Sequence, residues 1–401
     1  MGSPASGAAG LRGHRDTDAA LLDDVDAIAE NDPAGMLRFI ASAGAQVRES
    51  AALSAETDLS ALEDGGRPRA VVVAGVGTAG RTGDVLATVA GPRSPVPVIG
   101  HRSAGVPGWV GAADVVIAVS ASGRSPEALG AAEAAARRGA RLVAVGAPDS
   151  RLQSVAEGAR APFIPVPRRA PARASLWALT VPVLLAARTL GLVKVNEADF
   201  AETAVRLDTD ADRCRPTAES FVNPAKSLAL GLAGAVPIVW GSSPLATVAA
   251  RRFADSLSAN ARYPVVAGAL GEAGRGRVGL LDGVFGGLVE SQRDIFADPD
   301  DDEPAVTRLR LVLLRDGGLN ADDDADEPIA VEERRADAVQ TLAERRGVRC
   351  DVITAEGGSA LERLASLVAV PDFASVYLAL AHGLDPMAVP AVSEMKELAN
   401  P

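Results

Sequence analysis

Three hydroxyls and a glycine stand together in Ser120-Ala-Ser-Gly-Arg-Ser125, directly after the apolar run Val115–Val119 and directly before Pro126 and Glu127. The chemistry these residue types suit is the binding of an anion. Ser125 fits a helix N-cap, Pro126 the first helical position and Glu127 the first turn, so the spacing predicts a helix over Pro126–Arg138. Its free N–H groups and positive dipole end face back toward the serines, where a phosphate accepts bonds from Ser120, Ser122, Gly123 and Ser125 together. Arg124 adds a fixed positive charge. A Ser/Gly-rich turn is also the ordinary connection between a parallel strand and its helix, so this loop alone does not assign a ligand.

A second stretch with chemical potential is Gly75-Val-Gly-Thr-Ala-Gly80, which follows a strand predicted over Arg69–Gly75 and opens a helix running to about Val89. Its G-x-G-x-x-G spelling is a dinucleotide fingerprint, which also calls for an acid at the end of the second strand, about twenty residues on. The second strand, predicted over Val96–Ile99, ends in Gly100-His101-Arg102. It carries no carboxylate, which argues against NAD. Gly77 and Thr78 remain useful, because glycine lets backbone approach a ligand closely; they join the serines as candidate phosphate contacts.

These loops need a frame. Strands predicted at Arg69–Gly75, Val96–Ile99, Val115–Val119, Arg141–Val145 and Phe163–Val166 alternate with helices, including a short one over Ser150–Glu157. That alternation gives an α/β, doubly wound parallel sheet with both Gly/Ser turns on the carboxyl edge, where such folds bind ligands. Helices over Leu21–Ala29 and Pro33–Arg48, broken and capped at Asn31 and Asp32, precede it. A long apolar helix over Ser175–Leu192 follows; Pro182 and Arg188 interrupt its most lipophilic part, so it reads as a core helix and no membrane span.

The remainder repeats the plan. Helices are predicted over Ala204–Ala218 and Asn223–Leu232, then a strand Val236–Trp240, the turn Gly241-Ser-Ser-Pro-Leu245 and a helix Pro244–Ala259. Strands Leu309–Leu314 and Val348–Ile353 flank a helix Ala330–Arg346, and helices Phe373–Ala381 and Val389–Leu398 close the chain. Two such units suggest duplication: residues 19–195 and residues 196–401, each an α/β/α sandwich with flanking helices, after a mobile tail 1–18. Acidic loops near 298–303 and 320–327 lack the Gly and Glu of a calcium loop and read as solvated segments.

Composition narrows the function classes. With 52 acidic against 40 basic residues the formal charge is −12, which argues against nucleic acid and anionic membranes as partners. Aromatics at 3% leave little for base stacking. Cys214 and Cys350 form neither a disulfide framework nor a metal-ligand pattern and read as reduced thiols of a cytoplasmic protein.

Taken together, these motifs resemble the sugar isomerase (SIS) superfamily and, within it, the bifunctional phosphoglucose/phosphomannose isomerase family. Ser120–Ser125 resembles the superfamily's S-x-S-G-N-T phosphate loop, and Gly75–Asp84 its G-x-G-G-S-x-x-G-G-D turn. Pro171-Ala-Arg-Ala-Ser-Leu176 is similar to P-R-A-S-L, Asn260-Ala-Arg-Tyr-Pro264 to N-x-K-x-P, and Ser375–Leu380 with Gly383-Leu-Asp-Pro386 to the family's C-terminal signature. The resemblance spans about Asp32 to Leu398. It implies two SIS domains, a homodimer, and reversible aldose–ketose isomerisation of a phosphorylated hexose, glucose 6-phosphate or mannose 6-phosphate to fructose 6-phosphate, with no metal and no cofactor. It also implies that Arg173 and Lys396 stabilise charge on the sugar while a base moves a proton between C1 and C2.

The departures bear on catalysis. Arg275-Gly-Arg-Val-Gly279 aligns with the family's H-N-E-I-V-G, so Arg277 stands at the position of the base, and a guanidinium cannot accept that proton. Glu272, five residues earlier, is the nearest carboxylate and the substitute base. The histidines are His14, His101 and His382, none at the ring-opening position; His382 reads as a satisfied helix residue. Ala79 replaces a phosphate-binding Ser, and Arg124 an Asn. Two readings follow: a sugar-phosphate isomerase, or a catalytically inactive protein that binds the same ligand.

Overall fold

A computed structural model describes residues 19–63, 65–288, 308–317 and 326–399. Three helices, α1 (Val25–Asn31), α2 (Met36–Ala41) and α3 (Ala43–Ala55), lead into β1 (Val71–Ala74), α4 (Thr78–Ala90), β2 (Val98–His101), β3 (Val115–Ser120), α5 (Pro126–Arg137), β4 (Arg141–Gly146), α6 (Arg151–Gly158), β5 (Phe163–Pro165) and α7 (Leu176–Thr189). The second half comprises α8 (Glu197–Arg213), α9 (Pro224–Leu232), β6 (Ala235–Gly241), α10 (Pro244–Ser256), β7 (Val266–Ala269), α11 (Leu270–Ala273), β8 (Arg308–Arg315), α12 (Asp326–Arg345), β9 (Arg349–Thr354), α13 (Ala360–Ala381) and α14 (Pro390–Ala399).

Two parallel sheets result, ordered β2-β1-β3-β4-β5 and β7-β6-β8-β9. Each is covered on both faces, which is why strands such as Val71-Val-Val-Ala74 and Val115–Ser120 are buried at every position. On one face of the first sheet, Val72, Ala74, Val116 and Ala118 pack with Leu129 and Ala132 of α5 and Leu152 and Ala156 of α6. The opposite face, with Val73, Ile117 and Val119, belongs to a core that continues through α7 and α13 to Val239, Val312 and Leu314 of the second sheet. One apolar layer therefore serves both sheets. The other face of the second sheet, with Ile238, Trp240 and Leu311, packs on Ala336, Val339 and Ala343 of α12. Helix α13 is long and apolar enough to cross a bilayer, yet it is wholly buried here against its neighbours.

Several boundaries differ from the sequence reading for identifiable reasons. The helix expected over Pro33–Arg48 is two helices broken at Ser42, whose hydroxyl donates to the Phe39 carbonyl at 2.7 Å; α3 then runs on to Ala55. Asp32 does cap, its carboxylate accepting from the Met36 and Leu37 N–H groups at 2.7 and 2.9 Å. β2 begins at Val98, after Pro97, which has no N–H to give a ladder. β7 was not expected, since Val-Ala-Gly-Ala is too small and short to read as a strand. The helix expected at Ala204–Ala218 begins at Glu197, set by a capping box in which Asn196 and Asp199 bond each other's backbone. α10 ends at Ser256 and passes into a π-turn over Leu257–Ala261. The predicted Phe373–Ala381 is the last part of α13, which runs through Pro371. The tail 1–18 and the acidic loop 298–303 lie outside the described residues; of the loop 320–327 only Asp326 and Glu327 are described, and they open α12.

Candidate functional site

Sheet order 2-1-3-4-5 places its reversal between β1 and β3, and an open parallel sheet has its ligand crevice at that point of the carboxyl edge. Both loops singled out from the sequence emerge there, side by side. A Cβ on Gly75 would sit 2.9 Å from the Val119 carbonyl, so glycine is what lets the two turns meet. Gly77 caps α4 with φ +57°, a conformation side chains rarely adopt, and Thr78 starts the helix.

The serine loop is held tightly. Gly123 has φ +64°, donates its N–H to the Ser120 carbonyl at 3.0 Å, and leaves room for Ser150: an added Cβ would lie 2.1 Å from the Ser150 Oγ. Ser120 is buried, its Oγ accepting from the Ser125 N–H at 3.4 Å, and the Ser122 Oγ accepts from the Arg124 N–H at 3.2 Å. Ser125 occupies the N-cap of α5 with extended backbone, as expected, but its hydroxyl makes no capping bond. That hydroxyl oxygen is buried without a hydrogen-bond partner. Buried polar atoms are almost always partnered, so an orphan at a helix N-terminus marks a place for an acceptor or donor from outside the chain.

Around this corner lies a charged cluster that the sequence did not reveal. Arg81, on α4, donates to Asp84 at 2.9 Å and to both oxygens of Asp255 on α10, at 2.6 and 3.0 Å. Burial works against the Arg81 charge, but the two carboxylates outweigh it and raise its pKa. Arg102, just past β2, reaches Asp84 at 2.6 Å. His101 ends β2, its carbonyl accepts the Gly75 N–H, and its Nε2 is buried without a partner. Arg81 and Asp84 lie within Gly75–Asp84 and Arg102 directly after β2, but Arg102 is 18 residues from Asp84 and Asp255 is 174 from Arg81, beyond any local pattern.

Arg173 sits in a short 3₁₀ turn, Ala172–Ala174, packed against α4. Its Nη1 donates to the carbonyls of Ala259 and Pro386, both at 2.9 Å, and its Nη2 to that of Met387 at 3.3 Å. Burial, chiefly, pulls its pKa below the usual arginine value. Arg262 likewise clasps the carbonyls of Asp385 and Ala388, so two guanidiniums hold the Asp385–Ala388 segment ahead of α14. Lys396 stands on α14, a helix with no buried residue. Glu272 is exposed on α11, at the carboxyl end of β7, and the nearby Arg277 donates to the Ala267 carbonyl at 3.3 Å. Within one chain, then, Arg173's turn abuts the helix that the glycine turn opens, whereas Glu272 stands at the edge of the other sheet.

Below Arg173, a buried polar network ties the halves. Arg252 pairs with Asp372 at 3.0 Å and donates to the Arg173 carbonyl at 2.6 Å. Ser256 donates to Asp372, and Asn260 to Ser375, at 2.7 and 2.8 Å. His382 contacts the Tyr263 hydroxyl at 2.5 Å, in keeping with a satisfied helix-end histidine. Burial lifts the Cys214 thiol to about 12 and Cys350 to about 11, so neither is a ready nucleophile. Among the described residues no cluster of three or more His, Cys, Asp or Glu side chains fits a metal ion.

Comparison with known proteins agrees with this fold. Residues 221–398 match the bacterial phospho-glucose isomerase C-terminal SIS domain. The chain is 27% identical over 328 residues to a bifunctional phosphoglucose/phosphomannose isomerase from Caldicellulosiruptor bescii, covering 81% of this chain and 88% of that one. Its fold is shared with a glucose-6-phosphate isomerase from Chlamydia trachomatis, at TM-score 0.65, 12% identity and coverage of 95% and 84%. It is shared also with the tagatose-6-phosphate ketose/aldose isomerase of Escherichia coli, at TM-score 0.61, 16% identity and coverage of 88% and 93%. With two doubly wound parallel sheets and a serine corner at the reversal of the first, the chain has the sugar isomerase (SIS) fold, carries a match to the bacterial phospho-glucose isomerase C-terminal SIS domain, and is similar to the bifunctional phosphoglucose/phosphomannose isomerases.

Proposed function

We propose that this protein is a phosphosugar isomerase that holds the phosphate of a hexose 6-phosphate in the corner formed by Gly77, Thr78, Ser120, Ser122, Gly123 and Ser125. The observation that carries the reading is the partnerless buried hydroxyl of Ser125 at the first turn of α5, beside a loop whose glycine is sterically required. The preferred substrates are glucose 6-phosphate and mannose 6-phosphate, converted to fructose 6-phosphate, by analogy with the curated relative's name.

In that reaction a base takes the C2 proton of the open-chain aldose, and a C1–C2 double bond forms as the carbonyl electrons move onto O1, giving the enediolate. A proton passes from O2 to O1, and the base returns its proton to C1 as the C2 carbonyl forms, which leaves the ketose. Arg173 and Lys396 are the cations for the enediolate and Glu272 is the base. Because Glu272 and Lys396 stand on exposed elements, a second copy of the chain completes the site. The exposed apolar side chains of α14, with Val392, Met395 and Leu398 at 42, 61 and 83% exposure, favour such a homodimer.

A second reading has its own support: a guanidinium at the base position, bonded to a backbone carbonyl, suits a protein that binds sugar phosphate without turning it over. A coupled assay of glucose, mannose and fructose 6-phosphate interconversion separates the two. Turnover well above a Ser122→Ala control supports the isomerase; calorimetric binding of the sugar phosphate with turnover no higher than that control assigns the inactive binder; neither binding nor turnover refutes both.

A further inference from the structure

The second sheet has the same reversal as the first, between β6 and β8, and the same kind of turn: Gly241-Ser-Ser-Pro244 leaves β6 and opens α10, a helix of 13 residues. Gly241 is sterically required, since an added Cβ would lie 2.2 Å from the Thr247 nitrogen. Ser243 caps the helix, accepting from the Ala246 N–H at 3.1 Å. In construction this turn matches the first corner.

What differs is its content. Asp316, leaving β8, places its carboxylate in the corner: Oδ2 accepts from the Ser243 hydroxyl at 2.7 Å and Oδ1 from the Arg363 Nε at 2.8 Å, while the Asp316 N–H donates to the Ser242 Oγ at 3.1 Å. Both serine hydroxyls are thus engaged, in contrast to Ser125 in the first corner. Arg363, on the first turns of α13, is 7% exposed, and its Nη1 has no partner although it is buried. A buried guanidinium with an unused donor, a capping serine and a helix N-terminus make a set of donors larger than one carboxylate needs. Glu332 of α12 has its pKa raised chiefly by burial and further by the Asp316 charge, with Arg335 opposing, so it lies close to the corner.

We infer that this corner is a second phosphate-type anion site that the chain fills with its own carboxylate, Asp316 standing where the first corner takes the phosphate of its ligand. The inference rests on the phosphate reading of the first corner only for that comparison. It assigns each chain one phosphate ester, bound in the first half, and gives the duplicated half a structural anion in its place.

Titration of the full chain with inorganic phosphate, followed by calorimetry, tests it. The wild type is expected to take up one phosphate per chain. Asp316→Ala, folded by circular dichroism, is expected to take up two, and the same change in a Ser122→Ala, Ser125→Ala background one. Asp316→Ser, which keeps a small polar group in the corner, provides the same measurement should Asp316→Ala not fold. Two phosphates on the wild type, or no gain on a folded Asp316 variant, overturns the inference. If the first corner does not bind phosphate, the counts become none for the wild type and one for Asp316→Ala, so the two failures are distinguishable.

Discussion

Arg81 and Asp255 join the two halves of the molecule through a two-pronged ion pair, Nε to Oδ2 at 2.6 Å and Nη2 to Oδ1 at 3.0 Å, set between α4 and α10. Arg81 is mostly buried and Asp255 is 43% exposed, so screening limits the pair on one side. A double-mutant cycle of Arg81→Ala and Asp255→Ala, read by denaturant unfolding, is expected to return a coupling of about 1 kcal/mol. A coupling near zero would mean that the pair is held by its neighbours and does not hold them.

The Ser125 hydroxyl is expected to matter for ligand and hardly at all for folding. It makes no bond within the chain, so Ser125→Ala should shift stability by no more than about 0.5 kcal/mol. A hydrogen bond to a charged phosphate contributes about 1.5–3 kcal/mol, so affinity for a sugar phosphate should fall roughly ten- to a hundredfold. Calorimetry and thermal unfolding on the same variant check both halves.

Gly123→Ala should do the opposite and damage the loop itself. Its positive φ and the 2.1 Å approach to the Ser150 Oγ each forbid a side chain, for a cost on the order of 1–3 kcal/mol. Pairing it with Ser150→Gly should recover only part of that loss, because the backbone conformation is unchanged. Full recovery in the unfolding midpoint would show that the contact alone sets the requirement.

Within the buried network, Asp372→Asn is expected to be among the most damaging single changes. It leaves the Arg252 guanidinium, 5% exposed, without its counter-ion, and breaking a buried pair costs about 3–5 kcal/mol. Replacing Arg252 and Asp372 together with Met and Leu should cost much less than that. Urea denaturation of the three variants decides it.

Lys226 supplies a pH signature. Its side chain is fully buried, with the ammonium donating to the Pro216 and Ala218 carbonyls at 2.7 Å and the Asp23 carboxylate 3.7 Å away. Burial lowers its pKa from the usual 10.5, with Asp23 opposing. In the window between the lowered value and 10.5 the unfolded chain binds more protons than the native one, so this group's share of stability rises with pH there and is flat below it. Lys226→Met should abolish that rise, seen by comparing unfolding free energies of the two proteins from pH 8 to pH 10.

Legibility from sequence followed the range of the forces. The strands Val115–Ser120 and Arg141–Gly146, and the helix after Ser125, are dictated by local runs and agree with the sequence reading nearly to the residue, although the expected side-chain cap is not made. β7 was invisible because its four small residues become a strand only through pairing with β6. The serine and glycine turns are legible as motifs on one carboxyl edge, whereas their meeting at the reversal depends on the strand order 2-1-3-4-5 that the pairing of the sheet sets. Which donors are already engaged was not legible: Arg173 serves carbonyls 86 and more residues away, and Asp316 finds Arg363 only after the second sheet has formed.

The apolar layer that runs from Val73 to Leu314 has a consequence for whether the two halves can stand apart. Two repeats that each owned a private interior would melt separately and survive being cut apart. Here a break at the middle would expose apolar surface on both fragments, so the halves act as mutual scaffolds, and heating should melt them in a single step.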